Sequence, residues 1–234
     1  MSPNRTIPVK VKQAKNLSDA DIDRVTRSMM TVFQDDPSDI TGVLVGGDLS
    51  LWPLQIRSTV ASAAIAGIVH IAYASPQPQA SRNPSARADP EEILGVALSF
   101  GPGQGLNVTE EQKVAGWNAF LQAVPEGARS WWVDYYGPLR STGAKESFGN
   151  DYVDRALKLS LFGVLPSYRG MGVGKALFLA VEAEAKARKC SIVLQTETEL
   201  NVKIYTRLGF EVKKATAVQS PFGYSDFWFM EKRL

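Results

Sequence analysis

The sequence predicts an α/β (α+β) protein: a mixed, twisted sheet covered by helices, with a helical elaboration near the N-terminus and a long insertion before its most informative strand. Three observations carry this prediction. Apolar, β-branched segments alternate with segments of helical period along most of the chain. An apolar strand, Ala156 to Val164, runs into Leu165-Pro166-Ser167-Tyr168-Arg169-Gly170-Met171-Gly172-Val173-Gly174-Lys175, a glycine-rich turn that opens a helix. Two final strands, Phe210 to Lys214 and Ser225 to Glu231, have no helix between them and therefore call for a terminal hairpin. With 234 residues, 44% of them hydrophobic, the chain can bury a full core. We read it as one elaborated domain over residues 1–234.

Taken in order, Val9 to Lys12 reads as a first strand. Ser18-Asp19-Ala20-Asp21 supplies a helix N-cap and an acidic first turn, and the helix runs to about Phe33, where Asp35-Asp36-Pro37 stops it. A second helix covers Leu54 to Ala66, and Gly67 to Tyr73 has the β-branched content of a strand. Residues 75–90 contain four prolines and little to bury, which predicts a mobile surface loop between two strands. Ile93 to Phe100 is the next strand. The insertion after it holds a helix at about Glu110 to Ala123 and the aromatic pairs Trp131-Trp132 and Tyr135-Tyr136, which either pack against the core or wall a pocket. Beyond the glycine turn, Lys175 to Arg188 has Leu177 and Val181 on one face and the pairs Glu182–Lys186 and Glu184–Arg188 on the other. Ile192 to Thr196 is a strand and Leu200 to Arg207 a short helix, closed by Gly209 as a left-handed cap.

Bulk properties exclude several functions. The 26 basic and 24 acidic residues give a formal charge of +2, too small to make nucleic-acid binding the main activity. One cysteine, Cys190, forms no intramolecular disulfide framework, and with a single histidine, His70, it leaves no cluster of zinc ligands, so no metal is expected. No stretch reaches the roughly 18 apolar residues of a membrane span, and the start lacks a secretory h-region. The expectation is a cytoplasmic protein without a membrane partner.

A helix entered through glycines presents unpaired amides and the positive end of its dipole, which together make an anion site. The ligand expected there is phosphorylated. Spacing rejects two familiar versions. A Walker A loop needs four residues between its first glycine and the Gly-Lys pair; here three separate Gly170 from Gly174-Lys175, and Ala176 stands where a Mg²⁺-binding hydroxyl belongs. A dinucleotide G-x-G-x-x-G beginning at Gly170 would need glycine where Lys175 stands.

Arg169-Gly170-Met171-Gly172-Val173-Gly174 resembles the Q/R-x-x-G-x-G/A motif of the GNAT superfamily, the Gcn5-related N-acetyltransferases. Asn201-Val202-Lys203-Ile204-Tyr205-Thr206-Arg207-Leu208-Gly209-Phe210 is similar to that family's N-x-x-x-Y-x-x-x-G-F segment. The likeness spans roughly residues 90–234 and is strongest over 158–212. It implies a GNAT-type sheet, acetyl-CoA as acyl donor, and transfer to a primary amine, here favoured as a small molecule, by direct attack on the thioester. It further implies pyrophosphate contacts at Arg169, Gly170, Gly172, Val173, Gly174 and Lys175, pantetheine beside the strand ending at Val164, a cofactor contact at Asn201, and Tyr205 as the catalytic general acid. Each has a bland alternative: a turn that only connects elements, a helix cap at Asn201, packing at Tyr205.

The general base is less legible. The strand before the turn carries no acid, and Gln195 stands where related sequences often show Glu. Glu197, Asp154 and Asp226 are the acidic candidates, beside a water relay, while His70 reads as core and Cys190 as packing. A non-catalytic acyl-CoA-binding or sensing domain and a protein N-acetyltransferase are the alternative functions. A homodimer is left open.

Overall fold

The computed structural model describes residues 6–34, 40–74 and 91–234. The expected stop at 35–37 and the proline-rich segment 75–90 lie outside them. Seven strands form one sheet: β1 (Val9–Ala14), β2 (Ile68–Ala74), β3 (Ile93–Phe100), β4 (Ala156–Val164), β5 (Ser191–Thr196), β6 (Glu211–Ser220) and β7 (Gly223–Lys232). Their spatial order is β1-β2-β3-β4-β5-β7-β6. Every neighbouring pair is antiparallel except β4–β5, which is parallel because a helix crosses between them.

That crossover helix, α4 (Val173–Ala187), covers one face; α1 (Asp19–Phe33) and α2 (Trp52–Ala66) cover the other, over β2 and β3. The insertion contributes α3 (Gly137–Phe148), and α5 (Glu199–Arg207) follows β5. Local chemistry sets these elements. The Ser18 hydroxyl accepts from the Asp21 amide at 3.3 Å while the Asp21 carboxylate accepts from the Ser18 amide at 3.0 Å, a reciprocal cap that starts α1. On α4, Leu177, Phe178 and Val181 are fully buried, each contributing about 1.5–3 kcal/mol. The pairs Glu182–Lys186 and Glu184–Arg188 form on its outer side.

The insertion is more helical than its sequence suggests. Short helical segments run from Glu110 to Ala123 and from Glu126 through Tyr136 into α3. Trp131 and Trp132 are buried and Tyr136 stacks on Trp131 at 4.7 Å, all within a core shared with Phe227 and Phe229 of β7. Their indole N–H groups donate to the carbonyls of Gln219 and Leu44. Of the two readings for these aromatics, packing is the one observed. The hairpin strands are longer than expected, because β6 continues to Ser220 through polar, half-exposed residues that carry no apolar alternation.

One irregularity interrupts the middle of the sheet. Along β3–β4 the register steps from Leu98↔Leu161 to Ser99↔Leu159, so Ser160 is a β-bulge. Below it, odd-numbered Leu157 and Leu159 face α4; above it, even-numbered Phe162 and Val164 do, while Gly163 lies against Val32 and Met29 of α1. The extra residue inverts the strand's alternation.

Candidate active site

β4 is nine residues long, yet its pairing with β5 covers only Ala156↔Ser191 to Leu159↔Leu194. From Ser160 onward β4 stays with β3, whereas Gln195 and Thr196 of β5 stay with β7. The two strands part at the bulge. The β4 edge that faced β5 is left with unpaired peptide groups, a template for an extended ligand.

The glycine turn lies at the open end of that edge. Pro166–Tyr168 form one 3-10 turn, then Gly170 and Gly172 adopt φ of +76° and +88°, a left-handed region that side chains other than glycine enter at a cost. The first backbone bond of α4 is Ala176 N–H to the Gly172 carbonyl, at 3.0 Å. The amides of Val173, Gly174 and Lys175 therefore have no carbonyl partner in the helix, and no side chain caps them. At Gly174 an added Cβ would stand 3.6 Å from Val164 and 3.9 Å from the Phe162 ring, so there is room for it in the fold, at the expense of space beside β4.

A cleft of about 360 Å³ joins these features. Val164, Arg169, Gly170, Gly174, Asn201 and Tyr205 line it, together with Phe162 and with Val32 and Phe33 at the end of α1. Gly172, Val173 and Lys175 belong to the same turn without lining the cleft. Arg169 is engaged with the fold: its guanidinium donates to the Val32 carbonyl at 2.8 Å and to the Val164 carbonyl at 3.4 Å. Lys175 is exposed. A larger hollow, about 550 Å³, opens at the other end of β4 beside Arg155, Lys189 and Cys190. It has neither the glycine turn nor the splayed edge, so the smaller cleft is the candidate site.

The Tyr205 ring packs against Phe162 at 6.4 Å and Phe210 at 5.5 Å. Burial pushes the phenol's pKa well above its ordinary value, and the Glu197 carboxylate acts in the same direction, so it stays protonated through the physiological range. Asn201 is not the cap of α5. The Thr198 hydroxyl is, accepting from the Asn201 amide at 3.1 Å, which leaves the Asn201 side chain beside the cleft.

The candidate bases scatter. Asp154 is exposed at the opposite end of β4. His70 is buried on β2, with its pKa lowered by burial against a smaller opposing effect of Glu184. Asp226 is exposed on β7 and accepts from the Tyr224 hydroxyl at 2.7 Å. Glu197 is nearest in sequence to the cleft, next to Thr198 in its lining, and acts on both Tyr205 and Tyr136. Cys190 is buried, its thiol pushed up by burial and donating to the Ala185 carbonyl at 3.6 Å, which suits packing rather than nucleophilic attack. Among the described residues, no three His, Cys, Asp or Glu side chains gather as a metal site, and no helix is long and apolar enough to cross a membrane.

Sequence reasoning missed the α1 residues in the lining and the contact between Arg140 of α3 and Gln195 of β5, where the guanidinium Nε donates to the amide oxygen at 2.6 Å. Both arise between segments far apart in the chain. No local pattern announces them.

A mixed sheet whose one parallel pair splays beside an uncapped, glycine-led helix offers a place for an extended ligand with an anionic group. Residues 131–212 match the model of the acetyltransferase (GNAT) domain family. Over that stretch the chain is similar to the GNAT acetyltransferase domain, and its fold is of the GNAT type. Solved structures agree on the fold over nearly the whole chain. Arylalkylamine N-acetyltransferase 2 from Aedes aegypti superposes with a TM-score of 0.59 at 17% identity, covering 96% of this chain and 98% of its own. A protein described as histone acetyltransferase HPA2 and related acetyltransferase, from Corynebacterium glutamicum, gives 0.53 at 21% identity, with 97% of each chain covered. A GCN5-related N-acetyltransferase from Kribbella flavida gives 0.50 at 17%, covering 97% of this chain and 98% of its own. No curated protein matches the chain.

Proposed function

We propose that the protein transfers the acetyl group of acetyl-CoA to the primary amine of a small molecule, by direct attack on the thioester. The observation that carries this is the continuity of the cleft, which runs from the unpaired amides at the start of α4, along the free edge of β4, to Tyr205. The GNAT family uses an acyl-CoA donor, and the Aedes relative is by its name an acetyltransferase of arylalkylamines.

In this reading the amides of the turn and of Val173 to Lys175 hold the pyrophosphate. Each hydrogen bond to a charged acceptor contributes about 1.5–3 kcal/mol, against about 0.3–1 kcal/mol from the helix dipole, so the direct contacts dominate. The β4 edge pairs with the pantetheine amides. The neutral amine attacks the thioester carbon; a C–N bond forms, the C–S bond breaks, the sulfur leaves as thiolate, and the amine proton passes to solvent or a nearby carboxylate. Tyr205 faces the departing sulfur. An ordinary phenol protonating an ordinary thiol is already uphill by about 2 kcal/mol, and burial raises the Tyr205 pKa further. Its part is therefore to donate a hydrogen bond to the thiolate, which then takes its proton from solvent.

Calorimetry with CoA tests the donor site. Gly174→Ala is the clean probe, because the fold has room for the methyl group while the ligand's path does not. Gly172 is a poorer choice: a side chain there is strained at φ of +88° and meets Thr6 at 3.1 Å. The expected result is a CoA affinity at least about tenfold weaker for folded Gly174→Ala, about 1.4 kcal/mol. Unchanged affinity would remove the turn from the site. Thiol release with a panel of amines then separates an enzyme from a CoA-binding domain.

A further inference from the structure

The larger hollow, at the opposite end of β4 from the splay, is a second place where charge gathers. It lies where β4 and β5 begin and β7 ends, with Ala156 paired to Ser191 and Ile192 to Lys232. Its space of about 550 Å³ falls within the range of small-molecule sites, about 300–1,000 Å³. Cations reach it from three places in the chain: Arg155 just before β4, Lys186 and Lys189 around the end of α4, and Arg233 just after β7. Glu231 is the carboxylate side chain in its lining among the described residues.

The neighbouring carboxylates do not balance these cations. Glu231 is shared by Arg233 at 3.3 Å and Lys213 at 3.7 Å, and Glu182 by Lys186 at 3.0 Å and Lys232 at 2.6 Å. Asp151 stands 2.9 Å from Arg155, and Glu211 stands 3.3 Å from Lys213. Lys189 makes no ion pair and no side-chain hydrogen bond with any described residue. The cations Arg155, Lys186, Lys189, Lys213, Lys232 and Arg233 thus outnumber Asp151, Glu182, Glu211 and Glu231. A carboxylate at Leu234, which also lines the hollow, would reduce this surplus without cancelling it. Nor is Lys189 needed as a helix cap. The carbonyls at the end of α4 already accept from backbone amides: Glu184 from Arg188 at 3.2 Å, Ala185 from Cys190 at 3.1 Å and Lys186 from Lys189 at 3.0 Å. Its backbone φ of +53° lies in a region that favours glycine, so a lysine there is carried at a conformational cost.

We propose that the hollow is a second anion site, which binds the phosphate group of a small phosphorylated molecule. Two ammonium groups and two guanidinium groups converging from separate elements suit an oxyanion that accepts on three oxygens. Arg155, Lys186 and Arg233 are tied only by exposed ion pairs, which water screens, so they can turn toward an incoming anion at little expense. Lys189 needs no such release. A concave hollow in a chain of formal charge +2 fits a small ligand better than a nucleic acid. The glycine turn opens α4 and Lys186 lies in its last turn, so the two anion sites occupy opposite ends of one helix and can be filled together. The assignment does not depend on acetyl transfer.

The experiment titrates ribose 5-phosphate into the full chain, followed by calorimetry and by the backbone amide signals in NMR, with ribose as the uncharged control. Saturable binding should shift the amides of Lys189, Cys190 and Ser191, and ribose should shift none of them. The double variant Lys189→Asn, Arg233→Gln changes two exposed side chains, and asparagine accepts the left-handed backbone at position 189. It should bind at least about tenfold more weakly, the value of one charged hydrogen-bonded contact, and lose the shifts at the hollow while any at the glycine turn remain. Lys189→Arg keeps the charge and should keep the binding. Shifts confined to Gly170–Lys175 overturn the assignment, as do an affinity unchanged in the double variant and equal binding of ribose. Oligoglutamate that shifts the hollow amides while ribose 5-phosphate does not would make the hollow a docking surface for an acidic protein, and overturns it too.

Discussion

The two halves of β4 share a strand and differ in almost everything else. From Ala156 to Leu159 the strand is paired with β5, at Lys158 and Leu159 with β3 as well, and Leu157 and Leu159 close the core under α4. From Leu161 to Val164 it is paired with β3 only, and Phe162, Gly163 and Val164 line the cleft. Composition does not separate them; both halves are largely apolar. The difference is the bulge at Ser160, which bends the strand where β5 departs. Pairing, more than residue type, decides which half becomes structure and which becomes site.

Deleting Ser160 is the most severe way to break this contrast. The flanking residues already sit on the faces they would occupy in a regular strand, since Leu161 would still pair Leu98 and Leu159 would still pair Ser99. The variant should therefore unfold cooperatively, yet lose CoA binding, because a straight β4 can continue its ladder with β5. Retained affinity by calorimetry would show that the splay does not depend on the bulge.

Tyr205→Phe sharpens the contrast within the open half. The ring contacts with Phe162 and Phe210 persist, so kcat should fall about 10²-fold while CoA affinity holds. Wild-type turnover would reduce the residue to packing. A third measurement uses pH. With no acid on β4, kcat/KM should climb toward the pKa of the amine, and the limb should move when two acceptors differ by about two units. Tyr205 adds no falling limb below about pH 10, since burial and Glu197 both raise its pKa. A limb fixed near neutrality for both acceptors would instead reveal a titrating protein group.

The smallest effect belongs to the closed half. Burial lowers the pKa of Lys158 from 10.5 to about 8, opposed weakly by Asp154, while its ammonium donates to the Val153 carbonyl at 2.6 Å. A depressed lysine pKa means that the unfolded chain binds the extra proton, so stability should rise slightly as pH passes from about 8 toward 10.5. An NMR titration of the Lys158 side chain with a midpoint near 10.5 would refute this.

Much of the fold was legible because local signals and tertiary packing agree. The Ser18 cap, the face of α4 with Leu177 and Val181, its two ion pairs and the left-handed Gly209 all lie within one turn of the residues that explain them. The cleft's glycines and Tyr205 were readable for the same reason. The insertion was not, since α3 has no amphipathic period and is held by Gly143 and Phe148 against Phe229 of β7, contacts between segments far apart in the chain. Nor were the bulge, which looks like one more residue in an apolar run, and the Arg140–Gln195 contact, which joins residues 55 positions apart.

Arg169 carries a last consequence. Its guanidinium, which the turn's composition offers to the ligand, is tied instead to the Val32 carbonyl in the last turn of α1, 137 residues away, and to the carbonyl of Val164. The side chain is a tether. The rigidity of the turn is thus borrowed from the first helix of the protein, and damage to α1, by truncation or by loosening of its last turn, would be felt as weakened donor binding without any change in the glycines themselves.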